Sequence, residues 1–311
     1  MNIYDEIARN SRRTVLTVII FLVALLCIVF VATFIILSDE LSLQDALSVT
    51  IGVFPWVSGF ATILVLIWTL ISYHSGDKLI LRFVNARPVE RKDYFDLYNT
   101  VENTAITAGL PTPKIYLIND SSMNAFATGR NPNHSVICFT TGIVERLSKQ
   151  ELEAVAAHEM AHIANYDILL QLIVVTVVGI IAMIGEIMIR AGGHNRKGSG
   201  IAVAGLFVLL VGYPLLLLTK LSLSRRREYM ADATGAFYTR DPHSLADALA
   251  KISTDARVES ADSMKAAAHL FIDDPSIEEG RQHTGISWFA KLLSTHPPVQ
   301  DRINRLRGTV P

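Results

Sequence analysis

Three side chains in the stretch Ala156-Ala157-His158-Glu159-Met160-Ala161-His162 have the types and the spacing for metal-assisted hydrolysis. A helix turns once in about 3.6 residues, so positions four apart stack one turn above each other. His158 and His162 can therefore offer their imidazoles to a single point. Neutral imidazole is a good zinc ligand, and a zinc held by two of them takes further ligands from elsewhere in the chain. Glu159 points to a neighbouring sector of the same helix, where it can accept a proton from water at the metal without ligating the metal itself. Two histidines on the surface of an ordinary amphipathic helix would show the same spacing, so the motif needs support from the rest of the chain.

The flanking residues supply a helix. Ser148-Lys149-Gln150-Glu151 reads as a capping box, with Leu147 and Leu152 placed as a hydrophobic staple across it. From Lys149 to Ala164 there is neither Gly nor Pro, and five alanines give strong helix propensity on a surface that neighbours can approach closely.

The 311 residues are 50% hydrophobic and only 18% charged, with a mean hydropathy of +0.36, a composition unusual for a soluble protein. A net charge of −1 gives no reason to expect nucleic acid as a partner. The two cysteines, Cys27 and Cys138, make neither a disulfide framework nor a four-thiolate metal site.

The apolar residues fall in blocks. Val15 to Leu37 runs 23 residues without a charge, about 35 Å as a helix against a hydrocarbon core of about 30 Å. This is too long for a cleavable signal peptide and reads as a retained anchor. An acidic loop with Asp39, Glu40 and Asp45 leads to a second uncharged span, Thr50 to Tyr73, which contains Gly52, Pro55 and Gly59. Arg9, Arg12 and Arg13 precede the first span, and Lys78, Arg82, Arg87, Arg91 and Lys92 follow the second. By the positive-inside rule both ends lie in the cytoplasm, and the metal helix with them.

Residues 74–166 are mixed in character. A helix with Tyr94, Leu97, Tyr98, Val101 and Ala105 on its apolar face ends at Gly109-Leu110-Pro111. Lys114 to Asn119, Met123 to Thr128 and Ser135 to Thr140 read as three short strands, the last two joined by the turn Gly129 to Asn133. A small three-stranded sheet packed on the metal helix follows, and an extended substrate could add to its edge at Asn124-Ala125-Phe126-Ala127. Two further apolar runs, Asp167 to Ile189 and Ile201 to Leu223, flank Gly192 to Gly198. Both are long enough to cross a bilayer. The basic residues Arg190, Arg196 and Lys197 fall where an outside loop is required, so a hairpin partly buried against protein is the alternative. Glu186 is placed to pair with Arg190 one turn on.

Arg225-Arg226-Arg227 reads as a membrane-boundary cluster, and Glu228 and Asp232 follow it, one helical turn apart on one face. A catalytic zinc with two histidines commonly takes a Glu as third ligand. A carboxylate one turn on can hold the outer nitrogen of a ligating His. Glu228 is read as the ligand. Tyr229, next to Glu228, is one candidate for a second oxyanion donor. His243 to Val258 reads as an amphipathic helix, residues 259–287 as a lid over the cleft, and Pro298 to Leu306 as a closing helix. His74, His134, His194, His243, His269 and His283 have no partner spacing and read as solvated or structural.

With these residues in place the chain resembles the HtpX family of membrane-bound zinc endopeptidases, related to the CAAX prenyl proteases, over nearly its whole length. Two N-terminal spans, the His158 to His162 motif, an apolar hairpin and Arg227-Glu228-Tyr229-Met230-Ala231-Asp232 carry the resemblance. It implies one zinc per chain bound by His158, His162 and Glu228, with Glu159 catalytic and Asp232 supporting the site. It implies protein substrates, membrane proteins among them, and a stress-response role in quality control at a prokaryotic cytoplasmic membrane. Asn124-Ala125-Phe126-Ala127 resembles the family's segment beside the substrate, and His296-Pro297-Pro298 matches its C-terminal His-Pro, which places His296 near the active site.

The expected architecture is a mainly α membrane protein of about four transmembrane or apolar helices with a cytoplasmic α+β zincin-type catalytic domain. Residues 1–73 form a two-helix anchor, 74–166 the first catalytic part, 167–223 the apolar hairpin and 224–311 the second catalytic part. A protease for prenylated C-termini would share the motif but generally has more spans. A non-enzymatic scaffold with structural zinc would have no use for Glu159.

Overall fold

The computed structural model describes residue 23 and residues 26–192, 199–212, 227–254 and 297–308. Two compact units form, one from residues 1–69 with 177–220 and the other from residues 70–176 with 221–311.

In the first unit, α1 (Leu26–Ser38) turns at Asp39 into α2 (Leu43–Phe83), a helix of 41 residues whose last turns belong to the second unit. Among the described residues α2 is the one helix long and apolar enough to cross a membrane. Trp56, Phe60, Leu66 and Leu70 stand exposed along it, a surface suited to hydrocarbon rather than water. Three of its threonine hydroxyls donate to carbonyls one turn back, Thr50 to Ala46, Thr62 to Ser58 and Thr69 to Val65. Pro55 is carried inside it without ending it, so the helix extends well beyond the expected Thr50 to Tyr73 span at both ends. Phe30 of α1 packs edge-to-face on Phe54 of α2 at 5.2 Å. The unit also takes the later part of α6 (Asp167–Gly192) and α7 (Ser199–Phe207), which continues as a π-helical turn over Val208–Gly212. Expectations for residues 15–22, 24–25, 193–198 and 213–226 lie outside the described residues. Glu186 and Arg190 pair at 3.2 Å on an exposed face.

The second unit holds a mixed sheet in the order β1-β2-β4-β3. The strands are β1 (Arg87–Pro88), β2 (Lys114–Ile118), β3 (Ala125–Gly129) and β4 (Ser135–Thr140). β1 pairs antiparallel with β2, β2 parallel with β4, and β4 antiparallel with β3. The sheet therefore has four strands where three were expected. The added one is two residues of Arg-Pro, too short and too proline-bound to carry a strand pattern in sequence. β3 begins at Ala125, two residues later than expected. Asn124 lies just before it, with its backbone bound to Thr140.

Helix α5 (Lys149–Ala164) is the centre of this unit. It is buried from Glu151 to Ile163 at all but one position, because its alanines let neighbours close in from every side. α3 (Phe95–Ala108) presents Leu97, Val101 and Ala105, α9 (Pro242–Ile252) Leu245 and Leu249, α10 (Val299–Leu306) Val299 and Ile303, and the sheet Ile137 and Phe139, all to one apolar cluster with Val155 and Met160. α4 (Thr141–Arg146) links β4 to the start of α5. α9 ends at Ile252, short of the expected Val258, and positions 255–258 and 259–287 lie outside the described residues.

The capping box forms as the sequence indicates. The Ser148 amide donates to Glu151 Oε2 at 2.7 Å, and the Glu151 amide donates to Ser148 Oγ at 3.3 Å. Leu147 and Leu152 are buried in the same apolar cluster, and Lys251 Nζ reaches Glu151 at 2.7 Å. Ser148→Ala is expected to cost about 1 kcal/mol in chemical or thermal unfolding. Burial pushes the Glu151 carboxyl up, but hydrogen bonds from Lys251 and Ser148 outweigh it and hold it below its ordinary 4.5. A carboxyl held low in the folded state stabilises above its unfolded pKa and loses that contribution as pH falls. The stability gap between wild type and Glu151→Gln is thus expected to be full at neutral pH and to close as the pH falls below 4.5 towards the lower folded-state value. A series of melting curves would detect a gap that fails to close.

Candidate active site

The sequence brings His158 and His162 to one face of α5, and the fold brings a second helix to meet them. α8 (residues 227–239) crosses α5 where Gly235 sits: a Cβ at Gly235 would lie 2.9 Å from the His158 amide nitrogen and 3.1 Å from its Cα. Only a residue without a side chain allows that approach, and it aligns the preceding two turns of α8, with Asp232 and Glu228, along the motif. His158 Nε2 and His162 Nε2 lie 3.2 Å apart with their rings perpendicular. Glu228 Oε1 is 3.6 Å from His162 Nε2, and Oε2 is 3.7 Å from His158 Nε2. One donor atom from each of the three residues fits within a 4.8 Å cluster, and all three residues are buried.

Behind each imidazole stands a carboxylate. His158 Nδ1 lies 3.0 Å from Asp232 Oδ1, and His162 Nδ1 lies 3.1 Å from Asp167 Oδ2. An Nδ1–H donated outward to a carboxylate leaves the inner Nε2 with a bare lone pair. Two such lone pairs and the Glu228 carboxylate converge on one buried point, which requires a cation there, a proton or a metal ion. Burial works against charging His162, but its hydrogen bond to Asp167 and the charges of Glu228, Asp167 and Glu159 outweigh it and push its pKa up to about 9. Burial likewise opposes ionisation of Asp232, yet Arg302 and His158 hold it down to about 2. Burial dominates at Glu159 and pushes its carboxyl up, partly offset by His158 and His162. Glu159 also accepts a hydrogen bond from the Ala127 amide, which ties it to strand β3.

The other candidate residues are placed as follows. Asn124, Ala125, Phe126 and Ala127 are buried at the end of the sheet beside α5, in the edge strand and the residue before it. The Asn124 side chain accepts from the Ala125 amide at 3.0 Å. Tyr229 is half-buried with Arg305 stacked on its ring at 4.3 Å. His296 lies outside the described residues.

Sequence reasoning missed Asp167, Arg227, Arg302 and Gly235. Asp167 reads in sequence as the first residue of an apolar run, and its charge five residues after His162 is the available signal. Arg227, which the sequence groups with a membrane-boundary cluster, has a specific partner: its Nη1 donates to Asp167 Oδ1 at 2.9 Å. Arg225 and Arg226 lie outside the described residues. Arg302 grips Asp232 with Nε on Oδ2 at 2.8 Å and Nη2 on Oδ1 at 2.7 Å. In sequence it stands where the period Val299, Arg302, Ile303, Leu306 calls for an apolar residue. Gly235→Val is expected to lower stability by about 1–3 kcal/mol, because the added carbons meet the α5 backbone and not a flexible side chain. It should also depress metal binding along with the melting temperature, and a valine variant with wild-type values of both would show that the helices need not meet there.

A model of peptidase family M48 matches residues 92–310. The chain is 38% identical over 313 residues to a protein named Protease HtpX homolog from Tropheryma whipplei (strain Twist), covering 98% of this chain and 97% of that one. It is 36% identical over 320 residues to the protein of the same name from Lactobacillus helveticus (strain DPC 4571), with 98% and 99% covered. The Thermoanaerobacter pseudethanolicus (strain ATCC 33223 / 39E) protein of that name is 38% identical over 257 residues, with 79% and 82% covered. Among solved structures, S. mikatae Ste24p is similar with a TM-score of 0.48 at 19% identity, over 81% of this chain and 58% of that one. The chain belongs to peptidase family M48 and, with HtpX proteases as relatives over most of its length, is a membrane metallopeptidase.

Proposed function

We propose that the protein is a zinc endopeptidase, with His158, His162 and Glu228 as the metal ligands and Glu159 as the general base. The observation that carries this reading is the convergence of two imidazole nitrogens and one carboxylate on one buried point, although Glu228 follows His162 by 66 residues. The donor set fits zinc. Two nitrogens bound to a tetrahedral zinc at about 2.0–2.1 Å lie roughly 3.3–3.4 Å apart, and these lie 3.2 Å apart. Bound there, one zinc per chain would lower the pKa of a coordinated water towards about 7 and polarise the scissile carbonyl.

The chain's own residues do the rest. Glu159 accepts the proton of the attacking water and passes it to the leaving amine. Asp232 and Asp167 keep the imidazoles in the tautomer that turns Nε2 inward. The outer edge of β3 supports binding of an extended peptide, since its other side is taken by β4. Tyr229 or His296 supplies the second oxyanion donor.

The substrates in this reading are misfolded or damaged membrane proteins, cleaved in quality control at the cytoplasmic membrane under stress. Chain order supports it, because only two residues separate the end of α5 from the start of α6, where the apolar run begins. In the proposed topology residues 1–73 and 167–223 each cross the bilayer twice, and residues 74–166 and 224–311 form the cytoplasmic catalytic domain. Within the first unit Asp39, at the α1–α2 turn, accepts from Ser199 Oγ at 2.7 Å and from the Gly200 amide at 3.1 Å. The start of α7 is thereby held at the same end as the acidic loop, as two full hairpins require. A Cβ at Gly205 would come within 2.9 Å of the Gly185 carbonyl, the close approach typical of helices packed in lipid.

Glu159→Gln is expected to retain stoichiometric zinc and to lose cleavage of casein in detergent by at least about 10²–10⁴-fold. Unchanged cleavage would remove Glu159 from the mechanism. Glu228→Ala should lose zinc by metal analysis, and full retention would place the third ligand elsewhere. A cytoplasm-active reporter fused after Pro311 should be active, and a periplasmic signal would invert the topology.

A further inference from the structure

Each carboxylate behind a metal-facing imidazole is held by an arginine that stands outside the His-Glu-x-x-His motif. Asp167 receives Arg227 Nη1 at 2.9 Å, and Asp232 receives the Nε and Nη2 of Arg302 at 2.8 and 2.7 Å. The two are not equivalent. The Arg227 side chain is 18% exposed and that of Arg302 is 0% exposed. Arg302 grips both oxygens of its carboxylate and brings Nη1 to 3.7 Å from Glu228 Oε2.

We propose that Arg302, on the C-terminal helix α10, is a positioning residue of the metal centre: its two-point grip fixes the plane of Asp232 and, through it, the orientation of His158. The inference rests on the reading of His158, His162 and Glu228 as the ligands. Asp232 Oδ1 is shared between Arg302 Nη2 at 2.7 Å and His158 Nδ1 at 3.0 Å. A rotation of the carboxylate that frees the arginine therefore also frees the histidine. A planar guanidinium imposes this geometry and an ammonium does not, since a lysine offers one point charge on a flexible stem.

Stability alone gives no reason to bury Arg302 together with Asp232 instead of a pair of apolar side chains. The arginine sits on the apolar face of α10 between Val299 and Ile303, both buried. A buried ion pair there is often no more stable than apolar side chains of similar volume. What the pair adds over such side chains is direction. By this route α10 takes part in the metal centre without carrying a ligand, and the last described helix of the chain completes a site begun by α5.

The test uses the full chain in detergent, stripped of metal and titrated with Zn²⁺ against a chromophoric chelator, with the visible spectrum of the Co²⁺-loaded protein as a report on ligand geometry. Arg302→Lys, which keeps the charge and loses the fork, is expected to weaken zinc binding about 10- to 100-fold, the usual effect of losing such a support, and to shift the Co²⁺ bands. Asp232→Asn should do the same, and the double variant should be no weaker than Asp232→Asn alone, because Arg302 acts through Asp232. Lys251→Met, which breaks the distant pair with Glu151, should lower the melting temperature and leave zinc affinity unchanged. Should Arg302→Lys not unfold cooperatively, Arg302→Gln is read in its place, with the same weakening expected. Wild-type affinity and spectrum in a folded Arg302 variant, additive losses in the double variant, or an equal loss in Lys251→Met would each overturn the proposal. If Glu228→Ala retains zinc, the ligand reading itself fails. If Glu228→Ala loses zinc while Arg302→Lys binds it normally, only the role of Arg302 fails.

Discussion

Two imidazole nitrogens 3.2 Å apart, flanked by the buried carboxylates of Glu159, Glu228, Asp167 and Asp232, can coexist only if positive charge is brought to them. This requirement governs the catalytic unit. Burying one uncompensated carboxylate costs several kcal/mol, and four together would not fold. The unit supplies cations at two depths. Arg302 and Arg227 neutralise the outer carboxylates, and the point between the nitrogens is left for an ion. The outer pairs form within the protein itself, and in the proposed reading a metal ion completes the inner point.

The fold around this point follows from letting the motif helix be buried on all sides. Alanine at positions 154, 156, 157, 161 and 164 keeps α5 thin enough for α3, α9, the sheet and α8 to reach it. Gly235 carries the same logic to its limit, because α8 touches the backbone of α5 there. Close packing in turn excludes water, which strengthens each of the hydrogen bonds that orient the histidines. The helix that carries the chemistry is thus also the helix that carries the core, with Val155 one turn before Glu159 and Met160 next to it, both in the apolar cluster.

Much of this was legible from local rules. The capping box at Ser148 and Glu151, the end of α3 at Gly109, the strand Ser135–Thr140 and the i, i+4 pair of histidines all depend on neighbours within four or five residues, and all appear as read. The elements that were misjudged depend on partners far away. β1 exists only because β2 is beside it. The role of Arg227 is hidden among neighbouring arginines, because its partner in space, Asp167, is 60 residues distant. Arg302 is one of two arginines in a short helix, and nothing local distinguishes it except its place on an apolar face.

The sequence by itself determined which atoms can do the chemistry. Residue type sets what a side chain can ligate or protonate, and helical spacing sets which of them share a face. Those are properties of a few consecutive residues. The tertiary structure alone decided which buried charges meet. That choice among many carboxylates and guanidiniums is made by packing contacts such as Gly235 against His158 and α10 against α9. The energy of a buried ion pair depends on angstrom-scale separation and on the exclusion of water, and neither is written in the order of residues along the chain.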